Sequence, residues 1–221
     1  MYKLINCLGI IILLLCTTTA LAKGAKAVIH GDKPYIGCKG TVDEVCHARL
    51  TTEIGNPEKY REFLYLLDRL DETDTVYVHL AGNGGQYRSM LQIVNTMQSS
   101  KAKVITVVEG YVYSAHAVIA LAGKTIVIHP STVFLFHRSS RYRTEKSICI
   151  GQRGKFDRTV SAYLKCQRFH KKLLEADAHL LRRIVGRLLT KPEFNAMLQG
   201  ADIILHGDVV LKRLAPPPRA K

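Results

Sequence analysis

The sequence predicts an α/β fold with a mostly parallel sheet covered by helices, and three observations carry that prediction. Apolar runs of strand length, TVYVHLA (75–81), KVITVVE (103–109) and TIVIH (125–129), recur through the middle of the chain. A turn or loop follows each of the first two, GNGG and then GYVY. A helical pattern follows each turn, and strand, turn and helix in alternation is the pattern of crossover connections between parallel strands.

Taken in order, residues 27–42 are short apolar runs broken by Gly31, Gly37 and Gly40, which reads as one or two strands. A helix follows: Asn56 caps it, Pro57 fits its first turn, and Tyr60, Phe63, Leu64, Leu67 and Leu70 recur at helical spacing. After the strand at 75–81 and the turn at GNGG comes QYRSMLQIVNTMQ, a second amphipathic helix with Met90, Ile93, Val94 and Met97 inward. The strand at 103–109, the turn GYVY and a small-residue helix SAHAVIALAG repeat the unit. TIVIH and STVFLFH then read as two short strands, the second ending at His137. From Phe156 to Leu189 the pattern is helical, with Gly186 as a break. Thr190-Lys191-Pro192-Glu193 is a capping box that opens another helix. A strand at 202–205 and a last helix capped by Asp208 complete the domain, and the Pro-rich end APPPRAK (215–221) reads as an extended, disordered tail.

At 221 residues and 47% hydrophobic, the chain is long enough for one sizeable core and short for two. Residues 1–22 read as a secretory signal peptide: Lys3, an apolar stretch over Leu8–Leu15, then Ala20-Leu21-Ala22 as an A-x-A cleavage site before Lys23. That leaves residues 23–214 as one domain and implies export to the periplasm or the extracellular space. In such a compartment Cys38, Cys46, Cys149 and Cys166 form a set for disulfides, with Cys38–Cys46 the expected short loop and Cys149–Cys166 the remainder. No cysteine or histidine spacing fits zinc, so no metal and no cofactor is assigned. The net charge of +14 favours anionic partners. The basic segment 138–158 is its densest part, and it matches no nucleic-acid-binding motif, so an anionic envelope surface is the better fit and nucleic acid is disfavoured.

Ser114 sits where a strand gives way to a helix, the place where several hydrolase folds lift a nucleophile out of the sheet. The plain alternative is that its hydroxyl caps the helix. The order of HLAGNGGQYRSM, EGYVYSAHAVIALAG, STVFLFHRS, a long helix and ADIILHGDVVLKRL resembles the proteolytic subunit of the Clp protease and, more broadly, the Clp/crotonase superfamily of repeated ββα units, over roughly residues 28–214. The resemblance implies a serine peptidase with Ser114 as nucleophile, His137 as base and Asp202 as the acid that orients it. Amides of Gly84, Gly85 and Ala115 would form the oxyanion hole, and subunits would associate into a homo-oligomer. An imidazole is needed because a serine hydroxyl is a poor nucleophile until a base takes its proton, and a carboxylate holds the tautomer of that base.

His116 is nearer to Ser114 in sequence, but residues two apart on a helix face away from each other. Asp177 and Asp208 are rivals to Asp202 for the acid. Asn83 stands where the family has proline before the glycine pair, and Ala115 where it has methionine after the serine. The leading expectation is an exported peptidase that hydrolyses peptides or unfolded chains with no ATPase partner. Against it stand a crotonase-like acyl thioester enzyme, a catalytically inactive Clp-fold scaffold with a basic surface, and a membrane-anchored peptidase with a lysine base.

Overall fold

The computed structural model describes residues 35–39, 45–138 and 160–215. Its frame is a seven-stranded sheet: β1 (Tyr35–Lys39), β2 (Val45–Leu50), β3 (Thr75–Gly82), β4 (Lys103–Tyr113), β5 (Thr125–Ile128), β6 (Val133–Phe136) and β7 (Ile203–His206). The strands run in the order β1-β2-β3-β4-β6-β7, with β5 also paired to β4. β2 to β6 pair in parallel, while β1 and β7 join as antiparallel neighbours at the two ends. The mostly parallel α/β sheet of the sequence reading is thus the one observed.

Each early crossover is helical. A 3-10 turn (Pro57–Tyr60) and α1 (Arg61–Arg69) link β2 to β3, α2 (Tyr87–Ser99) links β3 to β4, and α3 (Ala115–Ala120) links β4 to β5. The first begins where the asparagine signal puts it, with Asn56 Oδ1 accepting the Glu58 N–H at 3.3 Å. The apolar spacing decides which face turns inward. Phe63 and Leu67 of α1 and Met90, Ile93, Val94 and Met97 of α2 are buried against Val76, Val78 and Leu80 of β3, in one core. Burying each such side chain contributes roughly 1.5–3 kcal/mol before the entropy of ordering it is counted. The alternate residues of β2 and β3 lie on the opposite face. There Arg49 donates to Glu109 Oε2 at 3.2 Å, Glu109 Oε1 meets His79 Nδ1 at 2.7 Å, and His79 Nε2 meets His47 Nδ1 at 3.0 Å.

β4 departs from the sequence reading. GYVY is not a turn: the strand runs on through Tyr113. Between the pairs Leu80–Val108 and Gly82–Val112, β3 has one residue and β4 has three, so β4 bulges around Gly110. Gly110 takes φ 88°, which only glycine adopts without strain. The bulge divides the strand into two halves, the first pairing with β5 through Ile105–Val108 and the second with β6 through Tyr111–Tyr113. It thereby carries the strand past β5 to a different neighbour.

The C-terminal part is α4 (Val160–Val185), α5 (Lys191–Leu198), β7 and α6 (Gly207–Leu214). α4 anchors by its last turns, where Leu181, Ile184 and Val185 are buried, and it stops one residue before Gly186. The capping box on α5 is formed in both directions, by Thr190 and Glu193. α6 starts two residues earlier than its sequence suggests, so Asp208 sits in its first turn while His206 takes the cap position. Cys38 and Cys46 are register partners across β1 and β2, and a disulfide joins them. Residues 1–34, Cys149 and nearly all of the basic segment lie outside the described residues, as does the side chain of Cys166. Among the described residues no helix is long and apolar enough to cross a membrane.

Candidate active site

Three strand ends meet beside Ser114. β4 ends at Tyr113, β6 ends at Phe136, and β7 begins at Ile203. The Ser114 N–H donates to Leu135 O of β6 at 2.8 Å, and its carbonyl accepts the Val118 N–H at 3.2 Å, so sheet and helix hold the residue from both sides. Between them the backbone is bent to φ 54° and ψ −119°. Ser114 is the only non-glycine residue at positive φ among those described. Such a conformation costs about 1–3 kcal/mol and persists only where its surroundings impose it. Ser114 occupies the cap position of α3, yet its hydroxyl makes no capping hydrogen bond. The plain alternative, a serine kept to cap the helix, therefore lacks its defining contact.

His137 follows β6 directly and is half-buried; Asp202 precedes β7 directly and is exposed. One step beyond the Phe136–Ile203 pair, the antiparallel register sets residue 137 opposite residue 202. The backbone therefore brings Ser114, His137 and Asp202 to one edge of the sheet. No side-chain hydrogen bond joins the three among the described residues. Of the rival acids, Asp177 accepts a hydrogen bond from the Tyr87 hydroxyl at 2.7 Å, on α4.

The glycine loop presses against the serine. A Cβ on Gly84 would lie 2.6 Å from Ser114 Cβ and 2.9 Å from Tyr113 O, and Gly84 and Gly85 take φ 101° and 140°. Only glycine fits there. Ile54 grips the loop through a one-residue parallel bridge, its N–H donating to Gly84 O at 2.7 Å and its carbonyl accepting the Gln86 N–H at 2.6 Å. Ile54 is fixed in turn through Gly55, whose N–H donates to the Tyr60 hydroxyl and whose carbonyl accepts from Ser89.

The structure corrects one part of the oxyanion-hole expectation. The Gly84 N–H is committed: it donates to His116 Nδ1 at 2.9 Å. The N–H groups of Gly85 and Ala115 make no hydrogen bond among the described residues; Gly85 points away from Ile54 by the geometry of the bridge, and Ala115 opens α3.

His116 is the residue that sequence reasoning set aside. It is fully buried on a helix otherwise built of Ala, Val and Ile, and its Nε2 lies 3.1 Å from Leu50 O. A signal was present, since a histidine in an apolar helix needs partners for both ring nitrogens once it is buried. Burial pushes its pKa below the usual histidine value, and backbone hydrogen bonds to Leu50 and Thr52 oppose the shift in part. No group of three or more His, Cys, Asp or Glu side chains is arranged for a metal ion among the described residues.

A family model for Clp protease matches residues 49–155. The matched stretch contains the glycine loop, Ser114 and His137, whereas Asp202 lies beyond it. No curated protein matches the chain.

Proposed function

The chain belongs to a Clp protease-like family, and on that premise we propose that it is an exported serine peptidase acting through Ser114, His137 and Asp202. Clp proteases are peptidases; the serine mechanism, the residues and the export are the proposal. The observation that carries it is the strained backbone of Ser114, uncapped and pressed between the glycine loop and β6. Strain of this kind is kept where function needs it.

In this mechanism Ser114 Oγ attacks the scissile carbonyl while His137 takes its proton, and the protonated imidazole then delivers that proton to the leaving amine. Asp202 holds the imidazole in the required tautomer. The developing oxyanion is met by the N–H groups of Gly85 and Ala115, with Gly84 excluded because its own N–H serves His116. Water repeats the sequence on the acyl enzyme and releases Ser114. The three side chains draw into hydrogen bonds as substrate binds, since such contacts are commonly long in a free enzyme.

The segment before Lys23 supports export, and an exported enzyme would work on peptides or unfolded chains without an ATP-driven partner. A single experiment tests both parts. The protein recovered from outside the cytoplasm is treated with a fluorophosphonate, and its intact mass and modified peptide are read by mass spectrometry. The expected result is a chain beginning at Lys23 that carries one adduct on Ser114, absent in Ser114→Ala. Failure to label at any pH between 6 and 9 would sink the serine mechanism, and a chain retaining Met1 would sink the export.

A further inference from the structure

We propose that His116 is the positioning residue of this site, and that the oxyanion loop stays assembled only while His116 is neutral. The inference rests on the serine peptidase reading and adds to it a condition on the chemistry that the triad does not impose.

The tautomer of His116 is set by its partners. Leu50 O, 3.1 Å away, can only accept, so Nε2 carries the hydrogen. The Gly84 N–H, 2.9 Å away, can only donate, so Nδ1 offers its lone pair. Both ring nitrogens are thereby used, in the one arrangement that satisfies both neighbours. The ring also has little room to turn: a Cβ on Gly82 would lie 2.9 Å from its Cε1.

One imidazole therefore ties three pieces of the site: the end of β2 at Leu50, the loop after β3 at Gly84, and the helix whose cap position is Ser114. Ile54 holds Gly84 O and the Gln86 N–H, and His116 holds the Gly84 N–H. With those groups occupied, the Gly85 N–H is the loop donor left over for substrate. The triad could be complete and the site still fail if the Gly84 peptide turned.

Protonation would turn it. A second ring hydrogen on Nδ1 would face the Gly84 N–H, donor against donor, with no acceptor between them. The surroundings offer the cation no compensation. The groups that bear on the ring are the Leu50 and Thr52 backbone carbonyls, Gly82 and Gly84, and among the described residues no ionisable side chain contributes to its electrostatics. Burial without a counter-charge disfavours the charged form. The sign follows. The folded-state value lies below the unfolded value of about 6.5, so the clamp is fully present above that pH and is lost only as pH falls through the lower folded-state value.

Two substitutions and one spectrum test this on the full chain. His116→Gln keeps an acceptor and a donor in one neutral side chain; His116→Leu keeps the bulk and removes both. Expected is a loss on the order of a hundredfold in the rate of Ser114 labelling for His116→Leu, in the limiting inactivation rate constant and not in the half-saturating concentration of the reagent, because a misplaced oxyanion donor costs about that much. His116→Gln should stay within about tenfold of the wild type and lose less of its rate on acidification. Equal rates for wild type and His116→Leu would overturn the proposal. So would a glutamine variant as slow as the leucine variant. Nitrogen-15 NMR of the His116 ring reads the tautomer with no reference to activity, and it stays decisive should His116→Leu not fold. A neutral ring with its hydrogen on Nε2 is expected at pH 7; a cation, or a hydrogen on Nδ1, at that pH refutes the clamp. An unlabelled wild type with the expected tautomer would instead place the failure in the peptidase reading.

Discussion

At φ 54° and ψ −119°, Ser114 holds a conformation that glycine adopts freely and serine does not. Stability and chemistry therefore pull apart at this one residue. Ser114→Gly should stabilise the protein by about 1 kcal/mol, roughly 2–4 °C in Tm, while abolishing any reaction that needs the hydroxyl. Ser114→Ala keeps the positive φ and should leave Tm nearly unchanged. Thermal melts of the two variants check this; a glycine variant that melts below the alanine variant would mean that the backbone is not strained. Much of the residue-level pattern was legible. The serine after a strand, the histidine ending another and the glycine pair are written in local sequence. The clamp was harder to see, because the Gly84 N–H and His116 are 32 residues apart and only folding brings them together. A sequence names a buried histidine without naming its partners.

Among the elements, the helices were the most legible, since their signals are local. Asn56 and the Thr190–Glu193 box cap as read, and the apolar faces of α1 and α2 are buried as read. β4 was less so. Gly110 is ordinary punctuation for a turn, but here it serves a bulge, because Tyr111 to Tyr113 find a partner strand in β6 that the sequence does not announce. A second long-range link joins α5 to α6. Arg213 donates to both carboxylate oxygens of Glu193, at 2.8 and 3.0 Å. With Thr190 adding further hydrogen bonds, Arg213 holds the Glu193 pKa down at about 2, against 4.5 unperturbed. A depressed carboxylate contributes stability that is present above pH 4.5 and lost as pH falls toward 2. For a pair only partly shielded from water that contribution is about 1 kcal/mol. Glu193→Gln should therefore lower Tm at pH 6 and close the gap to wild type as pH falls from 4.5 to 2. A gap that does not change over that range would show that the pair adds nothing to stability.

At the scale of the whole molecule, charge and apolar surface act against each other. The chain carries a net charge of +14, so two copies repel at long range. Yet the β4–β6–β7 corner leaves large apolar side chains in water: Tyr111 is 42% exposed and Ile204 is 57% exposed. The register sets Tyr113 beside Leu135 and Leu135 beside Ile204, so these three form one row across three strands, with Tyr111 beside Val133 two residues back along β4. Proteins of the Clp protease family commonly assemble into oligomers, and a row of this kind is the surface that assembly would bury. Salt decides which effect prevails, because at 0.15 M it screens exposed charges beyond about 8 Å while strengthening apolar burial little. Light scattering should then show self-association that grows from low to physiological salt, and Ile204→Asp should return the protein to monomer at both. The variant changes an exposed side chain, so its fold and its Ser114 labelling in the monomer should survive unless assembly itself completes the site. A wild-type monomer at both salts would refute the expectation, and it would leave the exposed row as surface that the +14 charge keeps apart.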